Sequence, residues 1–195
     1  AYQNAAYARH YAEFVAQVER AESPLGLSSL ADAVARNLFK LMAYKDEYEV
    51  ARLHTDAAFH ARIQSQFEGN YKLAYHLAPP LLAKRNERGE LQKRRFGPWV
   101  GSAFALLAKF KGLRGSALDV FGYTEERRTE RALIAQYQAS IAALLPALRI
   151  GNHALALQIA RIPEQIKGFG HVKARHLAQA RQQWQDLQAQ WQATL

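Results

Sequence analysis

The 195-residue chain contains no cysteine. That excludes disulfides, thiolate zinc sites, cysteine-held iron–sulfur clusters and a cysteine nucleophile within it, and it fits a cytoplasmic setting. No stretch approaches the roughly 18 apolar residues of a membrane span. The N-terminus lacks the basic-then-apolar order of a signal peptide. Gly112, Gly115 and Gly122 follow no strand and match neither phosphate-loop spacing. The seven histidines, His10, His54, His60, His76, His153, His171 and His176, form no zinc-helix pair beside an acid. Ser102 and Ser116 stand near glycines without a nucleophile elbow. There is no internal repeat. The opening Ala1-Tyr2-Gln3, without an initiator methionine and already inside a helical pattern, reads as the start of a domain excised from a larger chain.

The composition is that of a globular domain, with 49% apolar and 22% charged residues, and the length suits one domain over residues 1–195. The charge is one-sided: 26 Lys and Arg against 17 Asp and Glu give a net +9. Such a balance favours acidic partners, whether nucleic acid, an anionic membrane or an acidic protein.

Apolar periodicity makes the chain mostly helical, with about six to eight helices. Tyr7, Tyr11, Phe14 and Val18 mark a first helix that Ser23-Pro24 ends. Ser28 or Ser29 can cap a second through Leu30, Val34, Leu38 and Leu41. Thr55-Asp56 can cap another, bearing Phe59, Ile63 and Phe67. Between residues 71 and 77 the period changes to two, and residues 91–96 can return as the second strand of a small antiparallel hairpin near 71–96, turning at Arg88-Gly89. Pro98 suits the first position of the next helix. Residues 111–123 read as an ordered glycine loop, and Thr124 caps a long helix with Glu125 and Glu126 at its positive end. Asn152 can cap a short helix to Arg161, and Gly168 reads as a helix C-cap. The last helix carries Leu177, Ala180, Trp184, Leu187 and Trp191 at helix-packing spacing.

Residues 39–55, "FKLMAYKDEYEVARLHT", set a geometric problem. On one helix turning roughly 100° per residue, Lys45, Glu49 and Arg52 fall on the same side as Val34, Leu38, Leu41 and Met42. Either the helix breaks near Tyr44 and restarts with Asp46 as N-cap and Glu49 at the capping-box position, or one helix continues and the charges compensate as Lys45–Glu49 and Glu49–Arg52 pairs. The polar residues of interest are therefore Lys45, Asp46, Glu49 and Arg52, with His76 in the first strand and Arg114 in the glycine loop. A separate basic patch, Lys84, Arg85, Arg88, Lys93, Arg94 and Arg95, suits an acidic partner. Lys109, Lys111 and Arg114, and then Arg127, Arg128 and Arg131, form further basic groups. No nucleic-acid recognition motif accompanies them.

The stretch "VARNLFKLMAYKDEYEVARL" (34–53) resembles a segment from the C-terminal region of large bacterial indolepyruvate ferredoxin oxidoreductases, which are 2-oxoacid:acceptor oxidoreductases. "FEGNYKLAYHLAPPLLA" (67–83), "FGPW" (96–99), "LAKFKGLRGSALDVFG" (107–122), "ERRTERALIAQY" (126–137) and "PEQIKGFGHVK" (163–173) follow in the same order. The resemblance spans roughly residues 30–178. It implies a parent enzyme that oxidises aryl-pyruvates or related 2-oxoacids with thiamine diphosphate, magnesium, coenzyme A, iron–sulfur clusters and a ferredoxin-like acceptor. The cluster cysteines and the thiamine-binding Gly-Asp-Gly signature have no counterpart in this chain, so no catalytic, cofactor-binding or metal-binding residue carries over.

The expectation is an auxiliary C-terminal domain, inactive alone, that packs on other domains or subunits or helps dock ferredoxin. A second reading has Lys45, Asp46, His76 or Arg114 reaching a substrate carboxylate or coenzyme A phosphate. A third, from another class, is a basic helical module on nucleic acid.

Overall fold

The computed structural model describes residues 2–77, 92, 94–168 and 170–195. Among them are eight α-helices and one two-stranded antiparallel sheet, so the chain is a mostly helical protein with a small β-hairpin. The chain forms two compact units, Ala1–Tyr44 with Thr124–Leu195, and Lys45–Tyr123.

The first unit holds α1 (Ala5–Glu22), α2 (Ser29–Met42), α6 (Glu125–Leu144), α7 (Ile150–Arg161) and α8 (Gly170–Gln192). Asn4 caps α1 by accepting from the Tyr7 backbone N–H, and Thr124 caps α6 by accepting from Arg127. The apolar stripes expected from the spacing face inward. Val18, Leu30, Val34, Leu38, Ile141 and Ile159 are fully buried, and Trp184 of α8 stands against Tyr137 of α6 with ring centroids 6.0 Å apart. Both polar aromatics find partners, as buried ones must: Tyr137 Oη donates to the Ala160 carbonyl at 2.8 Å and Trp184 Nε1 to Ser140 Oγ at 2.9 Å.

Three local expectations in this unit are corrected. Ser28 sits at the N-cap of α2, but its side chain makes no cap bond. The carboxylate of Glu22, fully buried at the end of α1, accepts from the Leu30 and Ala31 backbone N–H groups, each at 2.8 Å. A charged acceptor on two free N–H groups at the positive end of a helix is a stronger cap than a hydroxyl. Asn152 lies inside α7, not before it: Arg149 is the N-cap residue, and Asn152 Oδ1 accepts from the Arg149 N–H at 2.8 Å, the reverse arm of a capping box. Gly168 is no C-cap. It precedes α8 at φ +88°, and a Cβ there would stand 2.8 Å from Val172 Cγ1.

The second unit holds α3 (Glu47–His54), α4 (Ala57–Gln64), β1 (Tyr75–Leu77), β2 (Arg94–Phe96) and α5 (Val100–Lys109). Tyr75 pairs with Phe96, His76 with Arg95 and Leu77 with Arg94. The core is small: Ala51, Tyr75, Val100 and Phe104, with Val50, Leu73, Leu77, Phe96, Leu107 and Ala108 packed around it. Asp56 caps α4 as expected, accepting from Ala58 N–H at 2.9 Å. Pro98 and Trp99 stay in the turn before α5, which starts at Val100 rather than at Pro98. The expected turn at Arg88-Gly89 lies outside the described residues, as do Lys84, Arg85, Arg88 and Lys93 of the basic patch.

Candidate functional site

The geometric problem of residues 39–55 resolves as a break. α2 ends at Met42, and α3 restarts behind Asp46, whose extended backbone (φ −83°, ψ −178°) lets Oδ1 accept from the Glu49 N–H at 2.8 Å. A break suffices because the apolar residues of α2 and the charges of α3 no longer share the faces of one helix. Glu49 does not reach back to complete a capping box. Its oxygens accept from Arg52 Nε at 2.9 Å and Nη2 at 2.7 Å, a bidentate pair, and Arg52 Nη1 also reaches Asp56 at 3.5 Å. The Glu49 hydrogen bond, offset in part by burial, pushes the Arg52 pKa up and holds the guanidinium charged. Lys45, the other expected partner of Glu49, is exposed.

Asp46 is 3% exposed, and its second partner lies far along the chain. Arg114, 6% exposed, lays its guanidinium across the carboxylate: Nη2 donates to Oδ1 at 2.8 Å, and Nε donates to Oδ2. Such a fork suits a guanidinium and not an ammonium. The Arg114 head also stands 5.9 Å from the centre of the Tyr48 ring. Tyr48 in turn meets Phe121 edge-on at 5.4 Å.

The loop that delivers Arg114 is held by Asp119. Its carboxylate, 3% exposed, accepts from the Gly115 N–H at 2.8 Å and the Gly122 N–H at 3.0 Å. Gly115 adopts φ +77°, the left-handed conformation that side chains disfavour. Burial, and then the nearby Asp119 carboxylate that the hydroxyl hydrogen-bonds, push the Tyr48 phenol up to about 12. The residues 46–56 and 114–122 thus form one clamp in which Asp46, Glu49 and Asp119 each already serve a cation or a helix or loop N–H.

His76, the remaining residue of the expected polar set, is not brought to this clamp. It is exposed on β1 and lines a cleft of about 160 Å³ with His54, Phe59, Leu73, Ala74, Tyr75 and Leu77. His54 stacks on Phe104 at 5.3 Å and meets Phe59 and Tyr75 edge-on. Its Nδ1 is buried without a hydrogen-bond partner among the described residues. Burial, with His60 nearby, pushes the His54 pKa down and keeps its ring neutral. The cleft is smaller than the usual range of small-molecule sites.

The third basic group is not a free patch. Arg127 is turned inward, where Nη1 meets Glu130, and Glu130 also takes Lys173. Sequence reasoning missed a buried pair altogether: His153 Nε2 stands 2.6 Å from Glu22 Oε1, beside the two N–H groups that Glu22 caps. The only local signal was a glutamate at the end of a helix before a Ser-Pro stop.

None of these arrangements fits the cofactors that the resemblance to 2-oxoacid oxidoreductases implies. The chain has no thiolate for a cluster, and among the described residues no three His, Asp or Glu side chains gather where they could hold a metal ion. No helix among the described residues is long and apolar enough to cross a membrane.

No curated protein and no solved structure matches the chain. A family model described as a family of unknown function, DUF6537, matches residues 1–186, and the chain belongs to that family.

Proposed function

We propose that this DUF6537 member is an auxiliary, non-catalytic domain of a cytoplasmic 2-oxoacid ferredoxin oxidoreductase of the indolepyruvate type, an enzyme dependent on thiamine diphosphate and iron–sulfur clusters. It serves packing between domains or subunits. The resemblance carried by the ordered stretches between residues 34 and 173 supports this parent.

The observation that carries the non-catalytic role is the Asp46–Arg114 fork. A catalytic acid, base or anion-binding arginine needs an open side towards its substrate. Asp46 spends its oxygens on the α3 N-terminus and on Arg114, and both side chains are almost fully covered. Breaking such a pair costs several kcal/mol, so its physical effect is to fix the 114–122 loop on α3. The exposed Arg94 and Arg95 of β2 support the finer role of meeting an acidic electron carrier through long-range attraction.

The experiment uses the protein as it is encoded. The reading frame around these residues should supply cluster cysteines and a thiamine-binding signature, and the purified protein should reduce ferredoxin when given indolepyruvate and coenzyme A. A reading frame without either signature, or a cofactor-loaded protein with no 2-oxoacid activity, rules out this parent.

A further inference from the structure

Along α5 the residues Trp99, Leu106 and Phe110 form an exposed apolar stripe. Trp99 at the N-cap of α5, Ala103 and Leu106 within it and Phe110 at its C-cap follow one another by four, three and four residues, the spacing of one helix side. Trp99 is 63% exposed, Leu106 59% and Phe110 47%, while Val100 and Phe104 occupy the core side. This is the spacing of a helix–helix seam, and Ala103 leaves a gap between larger neighbours into which a side chain from a facing helix can enter. Large exposed apolar side chains at such spacing suit an interaction site.

Charge selects the partner. From Leu91 to Leu118 the sequence has no Asp or Glu, and its cations are Lys93, Arg94, Arg95, Lys109, Lys111 and Arg114. Arg94, Arg95 and Lys109 are exposed, whereas Asp119, the first carboxylate beyond, is buried on its loop. We propose that the outward face of α5 docks a helix of another protein domain, one whose own apolar stripe is flanked by carboxylates. The inference rests on the reading of this chain as a packing domain and adds the chemistry of what it packs against. A second copy of α5 would match the stripe but set like charges against each other, which is unfavourable. A lipid surface would attract the same cations, but the four-three-four spacing with a small residue at Ala103 suits a facing helix.

The chain reports on this face directly. Of its three tryptophans, Trp184 and Trp191 are 1% and 2% exposed, so Trp99 dominates quenching by acrylamide. The probe is a synthetic helical peptide with Leu at the a and d heptad positions and Glu at the flanking ones. It is expected to shield Trp99 and shift its emission to the blue, and to bind roughly ten-fold more weakly at physiological than at low salt. Leu106→Glu should abolish the shielding at an unchanged melting temperature. The proposal is overturned if the acidic peptide gives no shielding, or if the same peptide with Lys for Glu shields equally well. It is also overturned if phosphatidylserine vesicles shield Trp99 and the peptide does not, or if Trp99 becomes shielded on concentrating the protein alone. A negative result falls on this surface only, because the parent-enzyme reading is decided by its own reading frame and assay.

Discussion

Asp46 and Arg114, 68 positions apart in sequence, share one carboxylate oxygen with the start of a helix: Oδ1 accepts from Arg114 Nη2 and from the Glu49 backbone N–H, each at 2.8 Å. The helix break that lets α2 bury its stripe thereby also anchors a distant loop. Asp46→Asn keeps a capping oxygen but removes the negative charge that the buried Arg114 guanidinium faces, and should cost about 3–5 kcal/mol in urea unfolding. Asp46→Ala should cost about 1 kcal/mol more by losing the cap. Asp46→Asn combined with Arg114→Met should be more stable than Asp46→Asn alone, because the buried cation is removed together with the carboxylate it faced. A double variant less stable than the single one would show that the fork is not the main interaction.

Glu22 is a fully buried carboxylate that caps α2 with both oxygens. Glu22→Gln presents one acceptor and one N–H₂ donor to two N–H donors. The expected loss is about 1–3 kcal/mol, the cost of an unsatisfied buried group. Circular dichroism melts of the two proteins check it, and equal midpoints would refute the cap.

Two glycines separate conformational strain from steric crowding. Gly26 and Gly168 both have positive φ, but a Cβ meets nothing within 4 Å at Gly26 and stands 2.8 Å from Val172 Cγ1 at Gly168. Gly26→Ala should cost on the order of 1 kcal/mol. Gly168→Ala should cost more, and Val172→Ala in the same chain should recover part of the difference. Thermal unfolding of the three variants gives the order directly.

His54 predicts a pH dependence of stability. Its pKa is lowered in the fold by burial first and by His60 second. The unfolded chain therefore binds the proton more readily, and its contribution to stability is complete above the ordinary value of 6.5 and is lost as pH falls below it. His54→Phe keeps the aromatic stack on Phe104 and removes the titrating group. Its unfolding free energy should fall less than that of the native chain as pH is lowered from 7 to about 5. Parallel curves for the two proteins would refute the assignment.

The sequence displayed what is local. The stripe through Trp184 and Trp191, the Thr124 and Asp56 caps, the Tyr75–Leu77 end of the period-two run at 71–77 and the Asp46 restart, one of the two readings of residues 39–55, each depend on residues within a few positions, and each stands in the structure. What it did not display is long-range. Nothing within four residues of Glu22 indicates that it will cap α2 or meet His153, and nothing near Arg114 names Asp46 as its partner. The Asn152 and Ser28 errors have the same origin: a capping residue type identifies a helix start to within a turn, and the geometry of neighbouring elements decides which side chain closes it.

The central claim is that the buried charges of residues 46–56 and 114 hold structure and do not act on substrate. With the proposed parent enzyme, the most direct measurement is the turnover of 2-oxoacid-dependent ferredoxin reduction by the protein carrying Asp46→Asn, taken at a temperature where it remains folded and set beside its urea midpoint. The account predicts a lowered midpoint with kcat per folded molecule unchanged. An unchanged midpoint with a collapsed kcat would contradict it.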